Sequence, residues 1–194
     1  MKKIYSVLAL LVLLLVTGCS GDNPSKTAEK AVNALLQGDM KTYYELLCDE
    51  DRSAMTEVNF IRNYNLPEDI RQIISILPEA TGTFKASKFK ETISGDNAVV
   101  TYLVNVPDAD KIGKEVLTLN DLMALTNGGK LRTLNDLPKE VLDKIVDYVH
   151  KNGVPTKELT GKMSLVKENE LWKVKLDLAN NYPNGVVPEA LRFE

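Results

Sequence analysis

The chain has 194 residues, and 24 Lys and Arg against 27 Asp and Glu give a formal net charge of −3. One domain with a proper core is expected at this length. Mild acidity without a basic cluster argues against nucleic acid, whose binding needs concentrated positive charge. A single histidine and two cysteines leave too few ligands for the usual zinc sites within one chain.

The first element is an export signal. Lys2 and Lys3 give a positive start, Leu8 to Val16 is apolar, and Thr17 and Gly18 are small residues ahead of Cys19. Even counted from Ile4, the apolar run is shorter than the roughly 20 residues a transmembrane helix needs. Val16-Thr17-Gly18-Cys19 resembles the lipobox of bacterial lipoproteins. The resemblance implies cleavage between Gly18 and Cys19, acylation of the Cys19 sulfur, and a protein held on a cell or outer membrane, facing periplasm or exterior. Ser20 rather than Asp after the acylated position is compatible, by the same analogy, with outer-membrane delivery. Multiple acyl chains (palmitate among them) give durable anchoring, at about 0.8 kcal/mol per buried methylene. Loss of residues 1–18 with Lys2 and Lys3 takes the formal charge from −3 to −5. An acylated Cys19 cannot form a disulfide with Cys48, which ends an apolar stripe as a small buried thiol would.

Residues 19–24 read as a polar lipidated tether. A domain spanning 25–178 follows. Ser25 is read as the cap of a first helix with Ala28, Val32, Leu35 and Leu36 inward, closed by Gly38. Asp39 caps a second helix with Met40, Tyr43, Tyr44 and Leu47 on its apolar face. After a charged break at Asp49-Glu50-Asp51-Arg52, Val58, Phe60, Ile61 and Tyr64 suggest a third helical piece. Pro67 opens another, with Ile70, Ile73, Ile74 and Leu77 as its stripe.

The period then shifts from helical to alternating. Thr83 to Ser94 and Ala98 to Val106 flank Gly95-Asp96-Asn97 as a hairpin. Leu159 to Lys167 and Leu171 to Leu178 form a second, in which Trp172, Val174, Leu176 and Leu178 alternate with Lys173, Lys175 and Asp177. Between the hairpins, 107–156 reads as a helical insert: a short helix over Leu119 to Leu125, and a better one capped by Asp136, started by Pro138 and ended by Gly153. Residues 179–194 form an irregular tail. The expected fold class is α+β, with N-terminal helices packed on a curved antiparallel sheet of about four strands.

The helix–Gly38-Asp39–helix opening over Pro24 to Leu47, the turn Gly95-Asp96-Asn97 with Ala98 to Val100, and Leu171-Trp172-Lys173-Val174 resemble nuclear transport factor 2-like, or cystatin-like, domains, as found in many small bacterial lipoproteins. The resemblance covers about two-thirds of the chain after the signal, and the insert departs from the family's minimal pattern. It implies a helix-to-sheet cavity that Tyr43, Tyr44, Tyr64, Tyr102 and Trp172 could line. Some enzymes of this fold, ketosteroid isomerase among them, set a carboxylate base and a Tyr in an apolar pocket.

Chemical motifs are otherwise few. His150 sits at the negative end of the helix that Gly153 closes, where a cation is favoured. No Gly-x-Ser-x-Gly turn, phosphate loop or dinucleotide glycine fingerprint is present. Asp49, Glu50, Asp51, Asp108 and Asp110 lack the alternation of a calcium loop and read as solvated loop charges. The expectation is a lipid-anchored, non-enzymatic module without cofactor or metal, binding a small apolar ligand or an envelope protein. The alternatives are an isomerase or hydrolase using Tyr and carboxylate, and a structural spacer or dimerisation unit.

Overall fold

A computed structural model describes residues 23–64, 82, 84–118 and 138–193. The export signal, the junction of Gly18 and Cys19, residues 19–22 of the tether, the helix expected from Pro67, and the insert features at 119–125 and Asp136 lie outside the described residues.

Helix α1 (Pro24–Leu36) is capped by Asn23, not Ser25: the Asn23 side chain accepts from Lys26 N, and Pro24 takes the first helical position, where its missing N–H is harmless. Ser25 instead donates from both backbone N and Oγ to a Glu91 carboxylate oxygen, at 3.0 and 2.6 Å, tying the helix start to the sheet. Ala28, Ala31, Val32, Leu35 and Leu36 are buried, each large aliphatic contributing about 2 kcal/mol. Gly38 (φ 71°) stops the helix, and the Asp39 carboxylate accepts from Thr42 N to start α2 (Met40–Glu45).

The charged run that reads as a break is a helix, α3 (Asp49–Ala54), with its three acids in the first turn, where the helix dipole favours them. Helix α4 (Glu57–Asn63) follows, capped by Thr56. Phe60 is buried and Val58 is 65% exposed, so the inward stripe is the pair Phe60 and Tyr64 rather than the four residues expected.

Four antiparallel strands, β1 (Lys85–Ser94), β2 (Asn97–Pro107), β3 (Thr156–Glu168) and β4 (Leu171–Lys175), lie in the order β1-β2-β3-β4. The α+β expectation is met. On one face, Val100, Tyr102 and Val104 of β2, Met163 and Leu165 of β3 and Trp172 and Val174 of β4 join the α1, α2 and α4 side chains in one buried cluster. Leu46 to Cys48 cover the outer edge of β4 through Cys48 N to Val174 O and Val174 N to Leu46 O, at 2.9 and 2.8 Å.

The β2–β3 ladder continues to Pro107↔Thr156, and Asp108 N donates to Pro155 O at 2.8 Å beyond it. The insert therefore crowns one end of a long hairpin. Its described part is α5 (Ala109–Val116) and α6 (Lys139–Asn152), with a small core of Ile112, Val141, Ile145 and Val149. Helix α5 was not legible in the periodicity, although Asp108 caps it by accepting from Lys111 N. Gly153 (φ 77°) ends α6 as expected.

The fourth strand stops at Lys175, three residues short of the expected end. Asp177 takes a left-handed conformation (φ 55°, ψ 47°), and a one-turn helix α7 (Leu178–Asn181) begins. The tail then returns against β3, burying Ala190 and Leu191 in the main cluster and setting Phe193 edge-on to Tyr102 at 6.5 Å.

Candidate functional site

Two sites merit description, one on each face of the sheet. On the covered face, Asp51 is the notable group. It is 1% exposed, and its two carboxylate oxygens accept from Leu176 N and Leu178 N, each at 2.6 Å. The Cys48 thiol donates to the same carboxylate at 3.2 Å. This clamp takes up the two backbone N–H groups just beyond the end of β4. Asp51 is thus a correction to its reading as a solvated loop charge: three hydrogen bonds satisfy its oxygens in the core. Asp49 and Glu50 are exposed and pair with Arg52 and Lys175. Asp108 caps α5, and Asp110 pairs with Lys157.

Burial pushes the Cys48 thiol up to about 12; the Asp51 backbone N–H works against this and the Asp51 carboxylate adds to it. Neutral at ordinary pH, it is a poor nucleophile.

The aromatic residues expected around a cavity sit within this packed layer. Tyr43 and Tyr102 are 0% and 1% exposed. Phe60 has ring centroids of Tyr43, Tyr44 and Tyr64 at 5.9, 5.6 and 5.2 Å, and Tyr102 stacks on Phe89 at 5.4 Å. Trp172 is buried in the same cluster. The Tyr44 hydroxyl donates to Met55 O at 2.9 Å. Among the described residues the hydroxyls of Tyr43 and Tyr102 have no hydrogen-bond partner, and desolvation raises both phenols above their usual range. The Asp51 carboxylate faces backbone N–H groups rather than a phenol. The Tyr–carboxylate hydrogen bond that does form, Tyr148 Oη to Glu115 at 2.7 Å, is exposed and lies on the insert.

The other face carries the geometry of a binding surface. Strand register places Lys90, Thr101 and Lys162 in one row across it, and Thr92, Val99, Ser164 and Lys175 in the next. Three adjoining depressions cross these rows. The first, about 160 Å³, is lined by Lys88, Lys90, Thr101, Tyr102, Leu103 and Thr160, so Tyr102, expected to line a cavity, does reach the wall of this one. The second, about 230 Å³, shares Thr101 and Thr160 with it and adds Lys162, Glu189 and Arg192. The third, about 510 Å³, shares Lys162 and Glu189 with the second and reaches Ser164, Lys175, Asp177, Asn180 and Asn181. Because neighbours share lining residues, we read the three as one trough running from β1 to the tail.

Local chemistry builds its walls. Between Ser87 and Lys90 the β1 register shifts, and Lys88 adopts φ 55° at this bulge. A bulge twists an edge strand and re-aims its side chains. At the far end, Asn181 Nδ2 donates to Leu176 O at 2.6 Å and Asn180 Nδ2 to Asp177 Oδ1 at 2.8 Å, so the wall after β4 is held by its own amides and by the Asp51 clamp beneath. Lys162 pairs with Glu189 at 3.3 Å, and Lys175 with Glu50 at 3.0 Å. Sequence reading missed the trough because its residues come from distant segments. The Lys173/Lys175 alternation in β4 marks the open face without showing what crosses it. No protein-family model matches the chain, and no curated protein matches it either, so its surfaces carry the functional reading.

Proposed function

We propose that this chain is a lipid-anchored envelope protein whose domain is a non-enzymatic recognition module, with its binding surface on the open face of the sheet. The lipobox-like Val16 to Cys19 supports the anchor. The likeness to nuclear transport factor 2-like domains supports a binding rather than a purely structural role, but fold likeness alone does not carry function. The observation that carries the surface is the contrast between the sheet's two sides: tyrosines and aliphatics pack the covered side, and three adjoining depressions are lined chiefly by open-side residues, with Tyr102, Gly161 and Leu176 reaching their walls.

The third depression, lined by Lys, Ser, Asp and Asn, favours a hydrophilic ligand or partner, whereas the walls of the two smaller ones are largely apolar beneath their Lys and Thr rims. The isomerase alternative draws no support from Asp51, whose oxygens are held by backbone N–H groups. Two experiments test the reading. A Cys19→Ala chain should lose membrane sedimentation, and normal sedimentation would remove the anchor. A photoreactive side chain at Thr101 should capture an envelope component in intact cells, whereas one at exposed Lys30 on α1 should not. Capture from Lys30 alone would move the surface to the helices.

A further inference from the structure

Resting on that placement of the binding surface, we infer that the trough takes an extended anionic glycan, its acidic groups at the β1 end and its neutral hydroxyls toward α7. Three observations carry this. Charge is graded along the trough: Lys88 and Lys90 line the first depression with no acid, Lys162 and Arg192 outnumber Glu189 in the second, and acids outnumber lysines in the third. At the β1 end Lys90 has no ion pair among the described residues and Lys88 shares its charge with Glu158 at 3.4 Å, which leaves a local positive excess in a chain of net charge −3. Such a local excess attracts anionic groups.

The donors and acceptors suit sugar hydroxyls, which both give and accept hydrogen bonds. Thr101, Thr160 and Ser164 supply hydroxyls, and Asn180 and Asn181, with one amide N–H each committed to the wall, keep their side-chain oxygens. Length is the third. Strands lie about 4.8 Å apart, so a trough that starts at β1 and ends past β4 spans about 15–20 Å by that spacing, more than one small molecule fills. An acidic peptide would be expected to add a strand at an edge or seat side chains in apolar pockets. Here the β1 edge is bulged, and the β4 edge is covered by Leu46 to Cys48.

Existing ion pairs do not block the site. Lys88–Glu158, Lys162–Glu189 and Lys175–Glu50 are all exposed at the surface, where such pairs are weak and exchange partners readily. Lys90 and Arg192 have no ion pair among the described residues.

The test uses the full chain in an uncharged detergent, with fluorescent dextran sulfate, neutral dextran and poly-L-glutamate as probes. Dextran sulfate should bind most tightly, and added salt should weaken it. Lys90→Glu with Arg192→Glu should cut its affinity about ten-fold or more, and Lys90→Gln with Arg192→Gln should cut it less. Lys151→Glu at the far end of α6 should leave it unchanged. Equal loss in the Lys151 variant, or equal binding of neutral dextran, overturns the inference. Preference for poly-L-glutamate overturns the glycan in favour of an acidic peptide. If no polyanion binds but Thr101 still captures an envelope component, the glycan is wrong and the surface stands; if Thr101 also captures nothing, both fall.

Discussion

The two faces of one sheet solve opposite problems. On the covered face, Tyr102 lies across Gly161 so closely that a Cβ there would come within 2.2 Å of its ring. On the open face, neighbouring rows hold Thr101, Ser164 and lysines half or fully exposed. Alternation along β2 and β3 assigns each residue to one side or the other, so stability and recognition draw on interleaved residues of the same strands. What the difference teaches is that substitutions one position apart should separate the two properties.

The largest effect belongs to the clamp. Asp51→Ala removes the acceptor for two buried backbone N–H groups and the Cys48 thiol, and should cost about 3–5 kcal/mol in urea unfolding. Asp51→Asn keeps the shape and one acceptor oxygen but sets its amide NH2 against the other backbone N–H, so it should recover only part of that loss. A loss under about 1 kcal/mol for the Ala variant would show that the β4 end is held by something else.

Gly161→Ala comes next. It should cost about 1–3 kcal/mol, the range for overpacking a filled core, and a Tyr102→Leu background should remove most of that cost by removing the ring. Neighbouring Lys162→Ala should do neither, which makes the pair a direct comparison of the two faces.

Alkaline pH tests the covered face as a whole. The folded state raises Cys48, Tyr43 and Tyr102 above their ordinary values, chiefly by desolvation. Groups with raised folded values contribute fully below their unfolded values, and the unfolded chain ionises first as pH rises. Melting temperature should therefore be level near pH 7 and fall above about 9, the ordinary thiol range. Cys48→Ala should flatten the first part of that fall. A melting temperature that rose between pH 9 and 11 would contradict the burial of all three. The smallest effects are expected on the open face, where Lys90→Glu should change stability by less than about 0.5 kcal/mol.

Much of the fold was legible because it depends on local signals. Gly38-Asp39 marks a helix stop and a helix start; Gly95 marks the first hairpin turn; alternation from Trp172 marks a one-sided strand. What was not legible depends on pairs far apart in sequence. Three consecutive acids look alike in a string, and only the 125-residue separation to Leu176 N makes Asp51 a core residue. The left-handed turn at Asp177 likewise is invisible to alternation, which by itself extends β4 from Lys175 to Leu178. Tyr43 and Tyr102 were legible as inward-facing, but periodicity cannot distinguish a cavity wall from a packed layer. The trough joins β1, β2, β3 and the tail, and no single segment carries its pattern.

The most direct test of the sheet's division of labour is a lysine-acylation footprint of the full chain, compared between purified protein and intact envelopes. Lys90, Lys162 and Lys175 on the open face should react several-fold more slowly in envelopes, while Lys30 and Lys41 on α1 and α2 should react at equal rates in both. Protection of Lys30 and Lys41 with the open-face lysines unchanged would place the occupied surface on the helices and contradict the account.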